Sequence, residues 1–298
     1  MGNKLKRKPE SNLKSNPANN HLEITVAGDR HQRTIVTQQY TAYPLRLSKV
    51  FRLDQGDRHR AYLYITNTSP GLLAGDIVNV AVTLDAGASL YLTDQSATKV
   101  HAMPVPGTKA IANTHLEIAA GASLEFMPEP VILFAEATSE QITHITLHSE
   151  GALFWSEVIL PGRLARGEYY DFSSYKNRVE IESWDGELWF REAINLAGKS
   201  NKITPFQSGA LFAEKSVLAT LIIVQPHLDL TQLAQKLDNL EGANFTDLSV
   251  ANSTLPGEKG LLVRVLGDKT SAVKKYLQYA LNCVRQLGDR PQIPYIPK

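Results

Sequence analysis

Cysteine is almost missing from this chain. The single Cys283 excludes an internal disulfide as a source of stability and reads as a small buried apolar residue of a reducing compartment. Long apolar runs are missing too. No eighteen consecutive apolar residues occur, and the opening MGNKLKRKPESNLKSNPANN has no apolar centre, which argues against a membrane span and a secretory leader. A cytoplasmic protein is therefore expected. A charge surplus is also lacking. The 298 residues carry a net charge of +1, and residues 1–20 hold five bases against Glu10, so the rest has 26 bases and 29 acids. A mildly acidic body predicts no nucleic-acid partner, because such affinity comes largely from neutralising phosphates. The basic, Asn-rich residues 1–20 read as a solvated, disordered leader.

Catalytic signatures are equally scarce. HExxH, GxSxG, CxxC and a strand-linked GxGxxG do not occur. Ala193–Ser200, AINLAGKS, fits a permissive phosphate-loop pattern, but a working loop must lead into a helix. Here NKITPF follows, with Pro205 and β-branched residues. Among the histidines, His144 and His148 would stand ~13 Å apart on one strand face at ~3.3 Å per residue, too far to chelate one ion. His115 and Glu117 lie closer and would join a site only with residues from elsewhere.

What the chain does contain is β-type pattern and a repeat. TIVTQQYTAYPLRLSKVF and HRAYLYITNT are rich in β-branched and aromatic residues, and NTSPGLLAGD between Asn67 and Asp76 reads as a loop. In IVNVAVTLDAGASLYLTD, HLEIAAGASLEFM and ITLHSEGALFW, alternating apolar residues flank a glycine-containing hairpin or sharp corner. The flanking apolar residues are six apart each time: Leu84/Leu90, Ile118/Leu124 and Leu147/Leu153. Gly87, Gly121 and Gly151 are 34 and 30 residues apart, the spacing expected of coils or layers stacked on one core. An ordinary β-sandwich is the alternative.

Downstream, Asp185-Gly186 signals a hairpin, with Trp184 and Trp189 read as packing residues rather than a binding platform. After about residue 205 the pattern changes to a buried strand (216–224), a helix capped by Asp229, two further strands and a last helix. That helix places Val273, Tyr276, Leu277, Ala280, Leu281, Val284 and Leu287 on one face, with Gly288 as its stop. The expected fold is mainly β: a β-helical or stacked-hairpin body over residues 21–204, then a C-terminal α+β segment over 205–298 with two helices, packed on the body.

Three carboxylates draw notice. Asp76 ends the glycine-rich loop, Glu157 follows the third corner in FWSEVIL, and Glu168 sits beside Arg163 and Arg166. Each also has a structural reading: a turn aspartate, a solvent-facing strand residue and an arginine ion pair. Oxygen ligands in a water-filled passage suit weak, transient binding of a divalent metal that must be handed on.

Taken in order, PLRLSKVF, YLYITNTSPGLLAGD, LDAGASLYLTDQSATKVH, AGASLEFMPEPVILFAEA and LFWSEVILPGRLARGEYYDF resemble the successive blocks of the urease accessory protein UreD family, called UreH in some bacteria. The likeness spans about residues 40–195, with a weaker one around GLLVRVLG and its helix. It implies a non-enzymatic chaperone that joins UreF and, through it, the GTPase UreG, binds apo-urease and helps nickel reach the active site. It also implies a β-helical stack whose tunnel passes nickel along acidic residues, corresponding by block to Asp76, Glu157 and Glu168, with Ni2+ only transiently held and no tightly bound cofactor. This chain has PGLLAGD where the family shows GGxxGGD, and TDQSATK for TTxxATK, so Asp94 adds a polar group nearby. Two other readings stay open: a β-solenoid binding module without metal traffic, and a nucleotide-binding enzyme using Ala193–Ser200.

Overall fold

The computed structural model of the chain describes residues 20–55, 58–200 and 216–297. Residues 1–19 of the expected leader, and residues 205–215 at the start of the expected C-terminal segment, lie outside these. The alternating segments form strands in two sheets. The first contains β1 (Leu22–Gly28), β2 (Thr34–Thr41), β5 (Ile77–Leu84), β8 (Ala110–Ile118), β11 (Thr138–Leu147), β13 (Ser174–Ser183) and β14 (Leu188–Ala197). Their order in space is β14-β13-β11-β8-β5-β1-β2. The second contains β3 (Leu45–Leu47), β4 (Ala61–Asn67), β6 (Ser89–Asp94), β9 (Ser123–Phe126), β12 (Ala152–Leu160), β15 (Val217–Val224), β16 (Ser249–Thr254) and β17 (Leu261–Gly267), ordered β16-β17-β15-β12-β9-β6-β4-β3. Two short strands, β7 (Thr98–Val100) and β10 (Val131–Leu133), run parallel to each other, and β10 also pairs with β12. The helices are α1 (Leu230–Asp238) and α2 (Thr270–Leu287). The chain is thus mainly β with two helices in its C-terminal part. No helix among the described residues is long and apolar enough to cross a membrane.

The repeated corners are not hairpins, which corrects half of the expectation. β5 pairs in parallel with β1 and β8, whereas β6, just past the corner, pairs in parallel with β4 and β9. Each corner therefore passes the chain from one sheet to the other, and the hydrogen-bonding partners come from the preceding and following repeats. Successive corners are also tied to one another: Gly87 N–H donates to the Ala120 carbonyl and Gly121 N–H to the Glu150 carbonyl, both at 3.0 Å.

The shift of the glycine in the third corner has a physical reason. Gly87 and Gly121 have φ of +72° and +67°, a left-handed backbone that glycine adopts without a Cβ penalty. Gly151 instead makes room. A Cβ there would stand 2.8 Å from Leu147 Cδ1 and 3.1 and 3.2 Å from two carbonyl oxygens, while one on Gly87 or Gly121 would meet nothing closer than 3.8 Å. Gly87→Ala and Gly121→Ala are expected to cost about 1–2 kcal/mol each for the left-handed conformation. Gly151→Ala should cost more, through overpacking. Urea unfolding of the three variants checks this, and equal losses would refute the distinction.

In-register parallel pairing stacks equivalent positions into rows across the first sheet. Val82–Leu116–Ile145–Ile181 forms one row and Leu84–Ile118–Leu147 the next, all almost fully buried against Leu90, Leu92, Leu124, Leu153 and Trp155 of the second sheet. The second sheet is buried on both sides along its central strands β6, β9, β12 and β15. Its other face, with Tyr91, Phe154, Val158, Leu221, Ile223 and Val263, packs against the helices. The apolar stripe foreseen on α2 is there: Val273, Tyr276, Leu277, Ala280, Leu281 and Val284 are buried, and Leu287 packs partly against them. Asp229 caps α1 by accepting from the Gln232 amide at 3.0 Å. The Asp185-Gly186 hairpin joins the antiparallel β13 and β14. Trp189 packs against the core under Lys259, whereas Trp184 is exposed near His148.

One residue in the α2 stripe is not apolar. Arg285 is 1% exposed and forms a buried ionic cluster that joins α2 to the second sheet. Its Nε and Nη2 donate to the two carboxylate oxygens of Glu125 at 3.0 and 2.5 Å, and its Nη1 donates to Asp54 at 3.0 Å. The Tyr62 hydroxyl donates to the same Asp54 oxygen, and the Arg60 guanidinium stands 3.4 Å from Glu125.

Candidate functional site

The rows of the first sheet change character away from the corners. Beyond the apolar rows come Val80–Thr114–Thr143–Val179 and then Val78–Ala112–Gln141–Asn177, smaller and more polar. Side chains of that kind cannot fill the space between two sheets about 10 Å apart. A cavity of about 140 Å³ opens there, with Thr114, Gln141 and Thr143 on one wall and Asp94, Ser156 and Glu157 on the other. The rest of its lining is mostly apolar, with Leu45, Ile65, Phe126 and Trp155 among it, so water would gather at the polar groups around Glu157.

Glu157 is the central side chain of this wall. It lies on β12 in phase with the core residues Leu153 and Trp155, so alternation turns it inward, and it is 7% exposed. The expectation of a solvent-facing strand residue is therefore corrected. Asn177 Nδ2 donates to its Oε2 at 2.5 Å, and the Tyr175 hydroxyl lies 3.0 Å from its Oε1 and 2.7 Å from Gln141 Oε1. Burial pushes the carboxyl up to about 7, against the Tyr175 hydrogen bond and the charge of Arg264, which favour the ionised form. Burial, then the neighbouring carboxyl, push the Tyr175 hydroxyl well above its ordinary range. Tyr175 has one proton for two acceptors. It therefore donates to Glu157 or to Gln141, not to both at once. Behind Glu157 its cross-strand neighbour Thr220 accepts from Arg264, which also pairs with Glu192, so a polar seam spans both sheets.

The other two expected carboxylates are not among the residues lining this cavity. Asp76 is half-buried and closes its own loop, its Oδ2 accepting from the Leu73 amide at 2.8 Å. Leu72 of its loop and Val78 on β5 reach the cavity. Glu168 follows a short 3-10 turn (Leu164–Arg166) and is gripped by both arms of the Arg163 guanidinium, which holds its carboxyl below the usual range. Its arginine-pair reading is the one the structure carries. Asp94, noted as an added polar group, does line the cavity together with Glu129, whose carboxylate pairs with Lys274 at 2.8 Å.

Gln141, Tyr175, Asn177 and Glu129 were not foreseen. The signal for Gln141 and Asn177 is their shared row, and for Tyr175 the next row beside Ser139; rows appear only once strands about 30 residues apart are set in register. The phosphate-loop reading fails on geometry: Ala193–Ala197 belongs to β14, and the amides of Gly198, Lys199 and Ser200 already donate to Ser173, Tyr170 and Phe172. Among the described residues, no three His, Cys, Asp or Glu side chains are arranged to hold a metal ion. Glu157 and the surrounding oxygen atoms can exchange a proton with water or meet a hydrated cation weakly; they do not form a closed metal centre.

A family model described as UreD urease accessory protein matches residues 18–298. The urease accessory protein UreD of Trichodesmium erythraeum (strain IMS101) is 56% identical over 279 residues, which cover 94% of this chain and 99% of the relative. That of Haloarcula marismortui is 30% identical over 272 residues, 91% of this chain and 87% of the relative. That of Cenarchaeum symbiosum (strain A) is 28% identical over 260 residues, 86% and 87% of the two chains.

Proposed function

The chain belongs to the UreD family of urease accessory proteins, and on that premise we propose that it matures urease as a scaffold and a nickel conduit, without catalysis of its own. In this reading it holds apo-urease against UreF and, through UreF, the GTPase UreG. Nickel is its cargo, carried transiently past Glu157 through the space between the sheets. The observation that supports the conduit is the buried Glu157 carboxyl in a cluster of polar groups on the wall of the cavity between the sheets. A divalent cation entering such a space finds hydroxyl, amide and carboxylate oxygens, a donor set that holds weakly enough to release. The stacked corners, read as β-helical coils, would give such a passage rigid walls.

The test is urease activation in cells whose own copy of this gene is replaced by variants, with nickel measured in the purified urease. Glu157→Ala is expected to lower both by about tenfold, the scale on which loss of groups around a metal is felt. Asp76→Ala and Glu168→Ala should act less, because neither side chain lines the cavity. Co-purification with UreF and urease subunits should persist in all three. Full activation by Glu157→Ala would remove the conduit and leave a binding module without metal traffic. Failure of the unaltered protein to co-purify with those partners would remove the scaffold.

A further inference from the structure

The outer face of the first sheet carries a second group of chemistry-bearing side chains, independent of the cavity. His115 on β8 and His144 on β11 are direct cross-strand partners. Their rings stack with centroids 5.0 Å apart and planes 5° from parallel. In the next row Glu117, Thr146 and Glu182 stand side by side. His115 Nε2 is 3.3 Å from Glu117 Oε1, and His144 Nε2 is 3.4 Å from Glu182 Oε1. Both Nε2 atoms therefore point toward the same row, each against a carboxylate. His144 Nδ1 is buried without a hydrogen-bond partner, so Nε2 is the ring nitrogen that His144 offers to a ligand. Leu116 and Ile145 alternate inward from the same strands, so the four groups face away from the core and stay partly open to solvent. Glu180, beside His144, is taken up by Arg178 and Arg191.

We propose that His115 and His144, flanked by Glu117 and Glu182, bind one divalent first-row transition-metal cation on this face. Two imidazoles with carboxylate oxygen suit zinc, nickel, copper or cobalt rather than calcium or magnesium. As they stand the groups do not converge, since stacked rings aim their nitrogens along parallel lines. Closing the site needs only side-chain rotation. The backbone register fixes the two residues on adjacent strands about 4.8 Å apart. A shared ion at about 2.0–2.1 Å from each nitrogen needs them about 3 Å apart, within reach of a turn about χ1 and χ2. The carboxylates now beside the Nε2 atoms then supply either an oxygen ligand or charge balance. His115 and Glu117 alone could not do this; the neighbouring strands supply the missing half.

Equilibrium dialysis and calorimetry on the full-length protein, with Zn2+ alone and then Ni2+ alone, test the site. The double variant His115→Ala/His144→Ala is expected to lose one bound equivalent. Either single variant, and Glu182→Gln, should weaken that equivalent by about tenfold or more. Glu157→Gln should leave it unchanged, which separates this site from the proposed conduit. Circular dichroism checks that the double variant folds. In the wild-type protein, two histidine rings should shift together in NMR spectra as one equivalent of Zn2+ is added. Unchanged stoichiometry and affinity in a folded double variant, or no coupled shift of two rings in the wild type, would overturn the proposal.

Discussion

Arg285→Met is expected to destabilise the protein by about 3–5 kcal/mol, the scale on which a buried ion pair is broken from one side. Methionine matches the length and apolar stem of arginine, so the loss isolates the guanidinium. Burial alone would push Glu125 up toward the neutral form, but Arg60 and Arg285 overcome it and hold the carboxyl below its ordinary range. Burial likewise works against the charge of Arg285, and Glu125 and Tyr62 more than restore it. With Arg285 gone, Glu125 and Asp54 keep their burial at 1% and 2% side-chain exposure and lose the group that donates to both. Urea unfolding measures the cost. The double variant Arg285→Met/Glu125→Gln should lose less than the two single losses added, by about 1–3 kcal/mol, because part of each is the other's stranded charge. Strict additivity would show that the pair does not act as a unit.

The second large effect concerns pH. Glu157 titrates near 4.5 when unfolded and near 7 when folded, so between those values the folded state takes up a proton that the unfolded state does not. Its contribution is fully present below pH ~4.5, declines as pH rises and is lost once pH passes about 7. Relative to Glu157→Gln, which keeps polar groups in place and does not titrate, the wild-type protein should match in stability near pH 4.5. It should be less stable by about 3 kcal/mol at pH 8, since a shift of 4.5 to 7 is worth ~1.4 kcal/mol per pH unit. Denaturation midpoints of both proteins across this range are the check, and parallel curves would refute the shift. If nickel passes Glu157, the glutamine variant should be the more stable protein at pH 8 and the poorer one in urease activation, a trade found where a site works under strain.

Much of the fold was legible because its periods are short. The corners, the Asp185-Gly186 hairpin and the α2 stripe each lie within about twenty residues. The parallel pairing was not, because nothing inside IVNVAVTLDAGASLYLTD distinguishes two arms that pair with each other from two arms that pair with neighbouring repeats. Glu157 drew notice after the third corner but was given a solvent-facing reading, although a local cue spoke against it: it lies in phase with Leu153 and Trp155, and a carboxylate in an apolar phase is a buried carboxylate. Arg285 offered the same cue, four residues beyond Leu281 on the helix. Its partners could not be read, since Glu125 and Asp54 lie 160 and 231 residues earlier in the chain. Glu125 in particular occupies the phase that would face water in a sheet covered on one side, and only the helices laid over that face make it interior.

In-register stacking also limits how this chain can change in length. One residue added within β5, β8 or β11 would turn every later side chain of that strand to the opposite face and break its rows on both flanks. Two residues would restore the facing yet offset the rows, so that Thr114 or Thr143 would stand in the apolar row of Leu116 and Ile145. The segments between repeats, such as 101–109 with its exposed Val105, carry no such register. Insertions and deletions among relatives of this protein should therefore gather there, leaving the spacing from each inner-facing strand to its corner constant.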